Sequence, residues 1–280
     1  MIPPLAANSL AVDGRVIVIT GGTQGLGLAI ARYLAGQNAA GLVLVSRSQA
    51  KGDAVIEEFK KEFPNCKVAF VCADLSKAEE AMSVAEKAAA AMSDVAPITG
   101  LVNAAATTQR GNLLDTTVES FDWQMTLNVR APFLVTQGIA KHMIANKVSG
   151  SIVNIASNCA DGGAPFIMTY SATKAALVNM TKNNAAELAP KGIRANVLNM
   201  GWCATENEDK LQRSVNGDDW LEEADKNVPL GRILRPEDTA ASVCFLLSDA
   251  SSMMTGTVIR LHPEWAEGMI STIANEEEGR

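Results

Sequence analysis

Tyrosine and histidine are scarce in this chain, with two of each among 280 residues. One of the tyrosines opens the segment Tyr170-Ser171-Ala172-Thr173-Lys174. A phenol and an ammonium four residues apart share one face of a helix. A neighbouring cation favours the phenolate, so the phenol is expected to fall from its reference pKa of about 10 toward neutrality. Tyr170 is therefore a candidate general acid for reducing a carbonyl, or a general base for oxidising an alcohol. The spacing alone is common in amphipathic helices. Ser157, 13 residues earlier and just past an apolar strand, strengthens the reading because its hydroxyl can bond the same oxygen.

A second constellation lies near the start. Thr20-Gly21-Gly22-Thr23-Gln24-Gly25-Leu26-Gly27 follows one apolar run and opens a helical pattern. Glycines at 21, 25 and 27 permit a sharp turn, close approach of a pyrophosphate and tight packing of helix on strand. The helix N-terminus adds unpaired N–H groups aimed at the anion. The next strand ends about 20 residues on, where a ribose-reading residue belongs. There the chain reads Val45-Ser46-Arg47-Ser48, with no carboxylate to accept from a ribose 2′-hydroxyl. Arg47 suits a 2′-phosphate, with Ser46 and Ser48 as small donors. NADP(H) is thus favoured, with NAD(H) as the alternative. Gln24 weighs the other way, since a basic residue inside the turn would have made a second phosphate clamp.

Together, T-G-x-x-x-G-x-G at 20–27, a serine after the fifth strand and Y-x-x-x-K resemble the short-chain dehydrogenase/reductase family across residues 13–262. The resemblance implies that Ser157 orients and polarises the substrate oxygen and that Tyr170 transfers the proton. Lys174 would lower the tyrosine pKa and hold the nicotinamide ribose hydroxyls. Asn128, in Leu127-Asn128-Val129, matches the family's helix-bending asparagine that holds a water in the proton relay. Around the cofactor it implies the turn residues Gly21, Thr23, Gln24, Gly25, Leu26 and Gly27, then Ser46 and Arg47. Asp74 and Leu75 would lie at the adenine, Asn103 and Ala104 beside the cofactor, and Gly201, Cys203 and Thr205 near the nicotinamide. Cys159 and Trp202 would join Ser157 and Tyr170 at the substrate. The chain departs from the family pattern at Ala104 and Ala106, at Met200 in place of proline before Gly201, and at Leu261-His262-Pro263-Glu264. These departures bear on loop geometry and substrate class. The resemblance also implies a homotetramer built on long helices at about 116–147 and 170–188.

The elements that must position these residues are legible as alternation. Short runs at 16–19, 42–45, 68–71, 101–102, 152–155, 195–198 and 258–261 read as strands, mostly continuous apolar ones of the kind covered on both faces. Helical patterns separate them, which predicts a single Rossmann-type, doubly wound α/β domain with a seven-stranded parallel sheet. Ser76-x-x-Glu79 and Thr116-x-x-Glu119 read as capping boxes, Pro236 as a helix start, and Pro190 with Gly192 as a helix stop. Two regions break the rhythm. Residues 200–227 are polar and helix-like in pieces, and are expected to form a substrate loop over the carboxyl ends of the strands. Residues 264–280 read as a frayed tail.

Composition narrows the class. There are 24 basic and 31 acidic side chains, hence 24 − 31 = −7, and this balance argues against general nucleic-acid binding. The longest nearly uncharged stretch, 88–109, holds Asp94, Pro97, Gly100 and Asn103 and is no membrane span. His142 and His262 are too few for a histidine-rich metal centre, and no metal is expected. Five unclustered cysteines and no signal-like N-terminus point to free thiols in the cytoplasm. The expected partner is a small-molecule alcohol or ketone, turned over by an NAD(P)-dependent oxidoreductase. Residues 206–210 and Asp161 suggest a sugar or polyol, whereas Phe166, Met168, Trp202 and Trp220 suit a bulkier apolar ketone. An epimerase or dehydratase holding NAD, or a cofactor-binding protein without turnover, are the other readings.

Overall fold

The structure, a computed structural model, describes residues 10–263. The expected frayed tail at 264–280 and the first nine residues lie outside them. Seven strands form one sheet: β1 (Val16–Thr20), β2 (Gly41–Ser46), β3 (Lys67–Cys72), β4 (Ile98–Asn103), β5 (Gly150–Ser157), β6 (Ile193–Met200) and β7 (Val258–Leu261). All neighbours are parallel, in the order β3-β2-β1-β4-β5-β6-β7. This is the doubly wound sheet that the alternation predicts. Helices α1 (Gly25–Gly36), α2 (Gln49–Glu62), α3 (Ala78–Ala91), α4 (Val118–Met125), α5 (Ala131–Ala145), α6 (Met168–Leu188), α7 (Glu206–Asn216), α8 (Trp220–Lys226) and α9 (Pro236–Leu247) fill the connections.

The continuous apolar strands follow from burial on both faces. In β1, Val16 and Val18 pack with Val84, Val135 and Ile139 of α3 and α5, while Ile17 and Ile19 pack with Ile30, Leu34 and Val243 of α1 and α9. Side chains alternate across the sheet, so both sets must be apolar. Strand order reverses at β1, because β2 and β3 lie to one side of it and β4 to the other. The connections leaving β1 and β4 therefore part above the sheet and open a crevice at its carboxyl edge, where α/β sheets bind ligands.

Two helix starts differ from expectation. Ser76 does not cap α3, because Asp74 recruits its hydroxyl (2.7 Å) and its backbone N–H (3.0 Å), and the helix starts two residues later. Thr117 rather than Thr116 caps α4, accepting from Ser120 N at 3.2 Å, while the Thr116 hydroxyl donates to Asn112 O at 2.6 Å. Pro236 does open α9, with Asp238 accepting from Arg235 N at 2.8 Å. Gly192 ends the turn after α6 at φ +73°. His142 is a packing residue whose Nε2 accepts from Ile98 N at 3.1 Å.

Candidate active site

The glycine turn between β1 and α1 is built by close approach. A Cβ on Gly27 would lie 2.3 Å from Gly21 O, so only glycine lets α1 start this near the strand. Gly21, at φ +70°, has Ala105 backbone 3.1 Å from its Cβ position, which brings the β1 and β4 loops into contact. Gly25 also has positive φ (+51°), but nothing lies within 4 Å of its Cβ position. No side chain caps α1: Gln24 occupies the cap position without bonding the first-turn N–H groups. An open cradle under uncapped donors fits an anionic group such as a pyrophosphate. Thr20 fixes the opposite wall, its hydroxyl accepting from Ala104 N and Ala105 N, each at 3.1 Å.

The adenosine side of the crevice is formed where β2 and β3 end. Thr23 donates to Ser46 Oγ at 2.9 Å, tying the glycine turn to the end of β2. Arg47 is exposed, and its guanidinium makes no ion pair among the described residues. Asp74 keeps a low carboxyl pKa, mainly because Ser76 bonds it, with the charges of Lys77 and Arg47 adding to the effect. Leu75 is buried beneath. The sequence reading missed Lys51, on the first turn of α2, whose Nζ donates to Gln24 Oε1 at 2.6 Å.

Two buried asparagines organise the loop after β4. Asn103 Nδ2 donates to Thr136 Oγ1 (3.0 Å) and Asn154 Oδ1 (2.8 Å), while its own Oδ1 has no hydrogen-bond partner. Asn128 sits in a widened turn, Thr126–Arg130, that interrupts the α4–α5 helix with π-type geometry. Such turns are frequent at functional sites because they swing one side chain out of register. Here the carboxamide grips Thr107 from both sides, accepting from its N and donating to its O, each at 2.8 Å. It also donates to Thr173 Oγ1 on α6 at 3.1 Å.

Ser157, at the end of β5, donates to Asn158 Oδ1 (3.1 Å) and accepts from Cys159 N (3.2 Å). The hydroxyls of Ser157 and of Thr108, which the sequence did not single out, lie by the Tyr170 phenol and act to lower its pKa. One turn along α6 the Lys174 ammonium lies 5.5 Å from the Tyr170 ring centroid and donates to Ile155 O at 2.8 Å. The expectation of a depressed phenol pKa is overturned. Burial pushes Tyr170 up to about 12, against the lowering bonds from Ser157 and Thr108. The lysine charge is committed to a carbonyl rather than to the phenol oxygen. Burial also pushes Lys174 down to about 8.

The polar segment after β6 forms α7 and α8 around a small separate core of Trp220, Val228 and Ile233. Gly201 N donates to Leu261 O (2.8 Å), and Thr205 caps α7 by accepting from Glu208 N (3.3 Å). Cys203 is buried, its thiol pushed up to about 12 chiefly by burial. Trp220, only 3% exposed, anchors the segment through Asp209 (2.9 Å). Trp202 is 38% exposed and donates to Glu208 at 2.8 Å. The charges at 206–210 are engaged internally, Glu206 with Lys210 and Asp209 with Arg213. Asp161 faces Arg260 at 3.6 Å. These pairs all lie exposed to solvent.

Known proteins with this arrangement are numerous. A family model described as enoyl-(acyl carrier protein) reductase matches residues 21–261. L-xylulose reductase of Bos taurus is 34% identical over 259 residues, covering 89% of this chain and 96% of that one. The solved L-sorbose reductase of Gluconobacter frateurii, complexed with NADPH and L-sorbose, superposes with a TM-score of 0.83 at 29% identity, covering 94% of this chain and 99% of that one. Gluconate 5-dehydrogenase of Burkholderia cenocepacia, solved with NADP and tartrate, gives 0.80 at 31% identity, over 91% and 96% of the two chains. With the glycine turn, the serine after β5 and the tyrosine–lysine pair on one sheet edge, the chain belongs to the short-chain dehydrogenase/reductase family.

Proposed function

We propose that this protein is an NADP(H)-preferring oxidoreductase that interconverts a secondary alcohol and a ketone on a sugar or polyol. The observation that carries the reading is the Tyr170–Lys174 pair on one face of α6, held against the segment after Ser157 at the carboxyl end of β5 by the Ser171–Cys159 bond, across the crevice from the uncapped glycine turn. A bound nicotinamide would supply or accept the hydride. In the reducing direction Ser157 holds the substrate oxygen, and Tyr170 Oη–H gives it the proton as the carbonyl becomes a hydroxyl. A phenol that is neutral up to about pH 12 is in the correct state for that donation. In the reverse direction Oη must first release its own proton, and the resulting phenolate then takes the alcohol proton, so oxidation is favoured as the pH rises toward about 12. Lys174 offers a buried ammonium on the same face that would meet ribose hydroxyls, and Gly21, Gly25 and Gly27 with the α1 N-terminus would hold the pyrophosphate. Asn128 positions the Thr107–Thr108 backbone at the phenol. Support for the substrate class comes from relatives named for L-xylulose, L-sorbose and gluconate.

The test is a panel of ketoses, polyols, hydroxy acids and apolar ketones assayed with NADPH and NADH. Turnover of ketoses or polyols with NADPH is expected, falling about 10²–10⁴-fold in Tyr170→Phe. Near-normal turnover in that variant would sink the assignment.

We also propose a homo-oligomer in the cytoplasm. Phe121 and Phe133 are exposed on α4 and α5, beside a surface groove lined by Met125, Val129 and Met180. The five cysteines are free thiols, and no helix among the described residues is long and apolar enough to cross a membrane. Sedimentation showing a monomer at micromolar concentration would remove the first of these proposals.

A further inference from the structure

We propose that Lys51 is a specificity-determining residue for the cofactor: it supplies, from α2, the second positive charge of a 2′-phosphate subsite whose first is Arg47. The inference rests on the dinucleotide reading above. The glycine turn has a neutral residue, Gln24, where a cation would clamp a phosphate. The fold brings one there across 27 positions of sequence, with Lys51 Nζ lying 2.6 Å from Gln24 Oε1. The geometry around it is tied at two further points. Thr23 donates to Ser46 Oγ at 2.9 Å, and Ser48 Oγ accepts from Lys51 N at 3.4 Å. Ser46, Arg47, Ser48 and Lys51 therefore border the same edge of the crevice as the turn.

Charge accounting favours an anion there. An amide oxygen bonds the Lys51 ammonium without neutralising it, and Arg47 forms no ion pair among the described residues. Of the nearby carboxylates, Glu206 is paired with Lys210, while Asp74 and Asp53 are bonded by the neutral groups of Ser76 and Gln49; none of the three forms an ion pair with Arg47 or Lys51. A phosphate would exchange an ammonium–amide hydrogen bond at Lys51 for one between opposite full charges. NADP and NAD differ only in that phosphate, so the gain falls entirely on cofactor discrimination.

The measurement is the dissociation constant of NADPH, NADH, 2′,5′-ADP and 5′-AMP, by calorimetric titration without substrate. It is made on the wild type, Lys51→Ala, and Lys51→Ala combined with Gln24→Lys. Lys51→Ala is expected to weaken NADPH and 2′,5′-ADP by about tenfold and to leave NADH and 5′-AMP within about twofold. Adding Gln24→Lys should restore the phosphorylated pair, because it returns a cation to the same point. Lys51 is exposed, so a matching melting curve will show that the fold is kept. Equal losses for NADPH and NADH, or no loss for either, in a protein whose wild type binds NADPH, would overturn the role of Lys51 alone. A wild type that binds none of the four would overturn the dinucleotide reading and this inference with it.

Discussion

Tyr170 and Lys174 are displaced in opposite directions by one cause, the loss of water around them: the phenol rises to about 12 and the ammonium falls to about 8. Each shift is measurable. Tyr170→Phe should abolish an ultraviolet-difference transition near pH 12, leaving Tyr33 as the remaining tyrosine. A wild-type spectrum with a phenol titrating near neutrality would contradict the geometry. Lys174 sets a pH dependence of stability. Its ordinary value is about 10.4, so between about pH 8 and 10.4 the unfolded chain holds the proton that the folded chain has released. Stability rises with pH across that window, and the cost of burying the charge is fully present below it. Denaturant unfolding at about pH 7.5 and 9.5 should show the wild type gaining about 2 kcal/mol relative to Lys174→Met. Parallel pH profiles for the two proteins would exclude the shift.

Among the elements, the widened turn at Thr126–Arg130 and the glycine turn do the positioning. Asn128→Ala removes both bonds to Thr107 and leaves a part-buried backbone donor and acceptor to water, a loss of about 1–2 kcal/mol. Thr108 follows Thr107, so the variant should lose kcat more than it raises KM for cofactor. A change in cofactor KM alone would point away from the phenol. Gly27→Ala places a methyl 2.3 Å from Gly21 O and must push α1 off the strand. It should lower the melting temperature and remove the shift that added dinucleotide gives the wild type. A melting curve that still rises with dinucleotide would contradict the packing argument. The strands were legible because burial on both faces enforces unbroken apolar runs. Helix starts were less so. Ser76 has capping chemistry, but Asp74 two residues back competes for its hydroxyl, and the α3 start moves.

In the whole molecule, the main sheet and the α7–α8 segment have different cores. The sheet is buried between two large apolar layers, whereas α7 and α8 close on Trp220, Val228 and Ile233. Backbone pairing of Cys203 with Leu234 and the Asp225–Arg235 ion pair (2.5 Å) fasten the segment to its base. Trp220→Ala, at about 3–5 kcal/mol, exceeds what so small a core can absorb. Hydrogen exchange should quicken across 204–233 while β1, β4 and β5 keep their protection. Uniform loss across the sheet would mean that the two cores unfold together. The sequence alone determined the alternation, the glycine turn, and the serine, tyrosine and lysine spacing. These answer to local constraints: side-chain period, room for a Cβ, and one turn of helix. Only the tertiary structure decided that Lys51 meets Gln24, that Thr108 reaches the Tyr170 phenol, and that this phenol lies high rather than low. Those depend on through-space distance and on exclusion of water, and neither is carried by spacing along a chain.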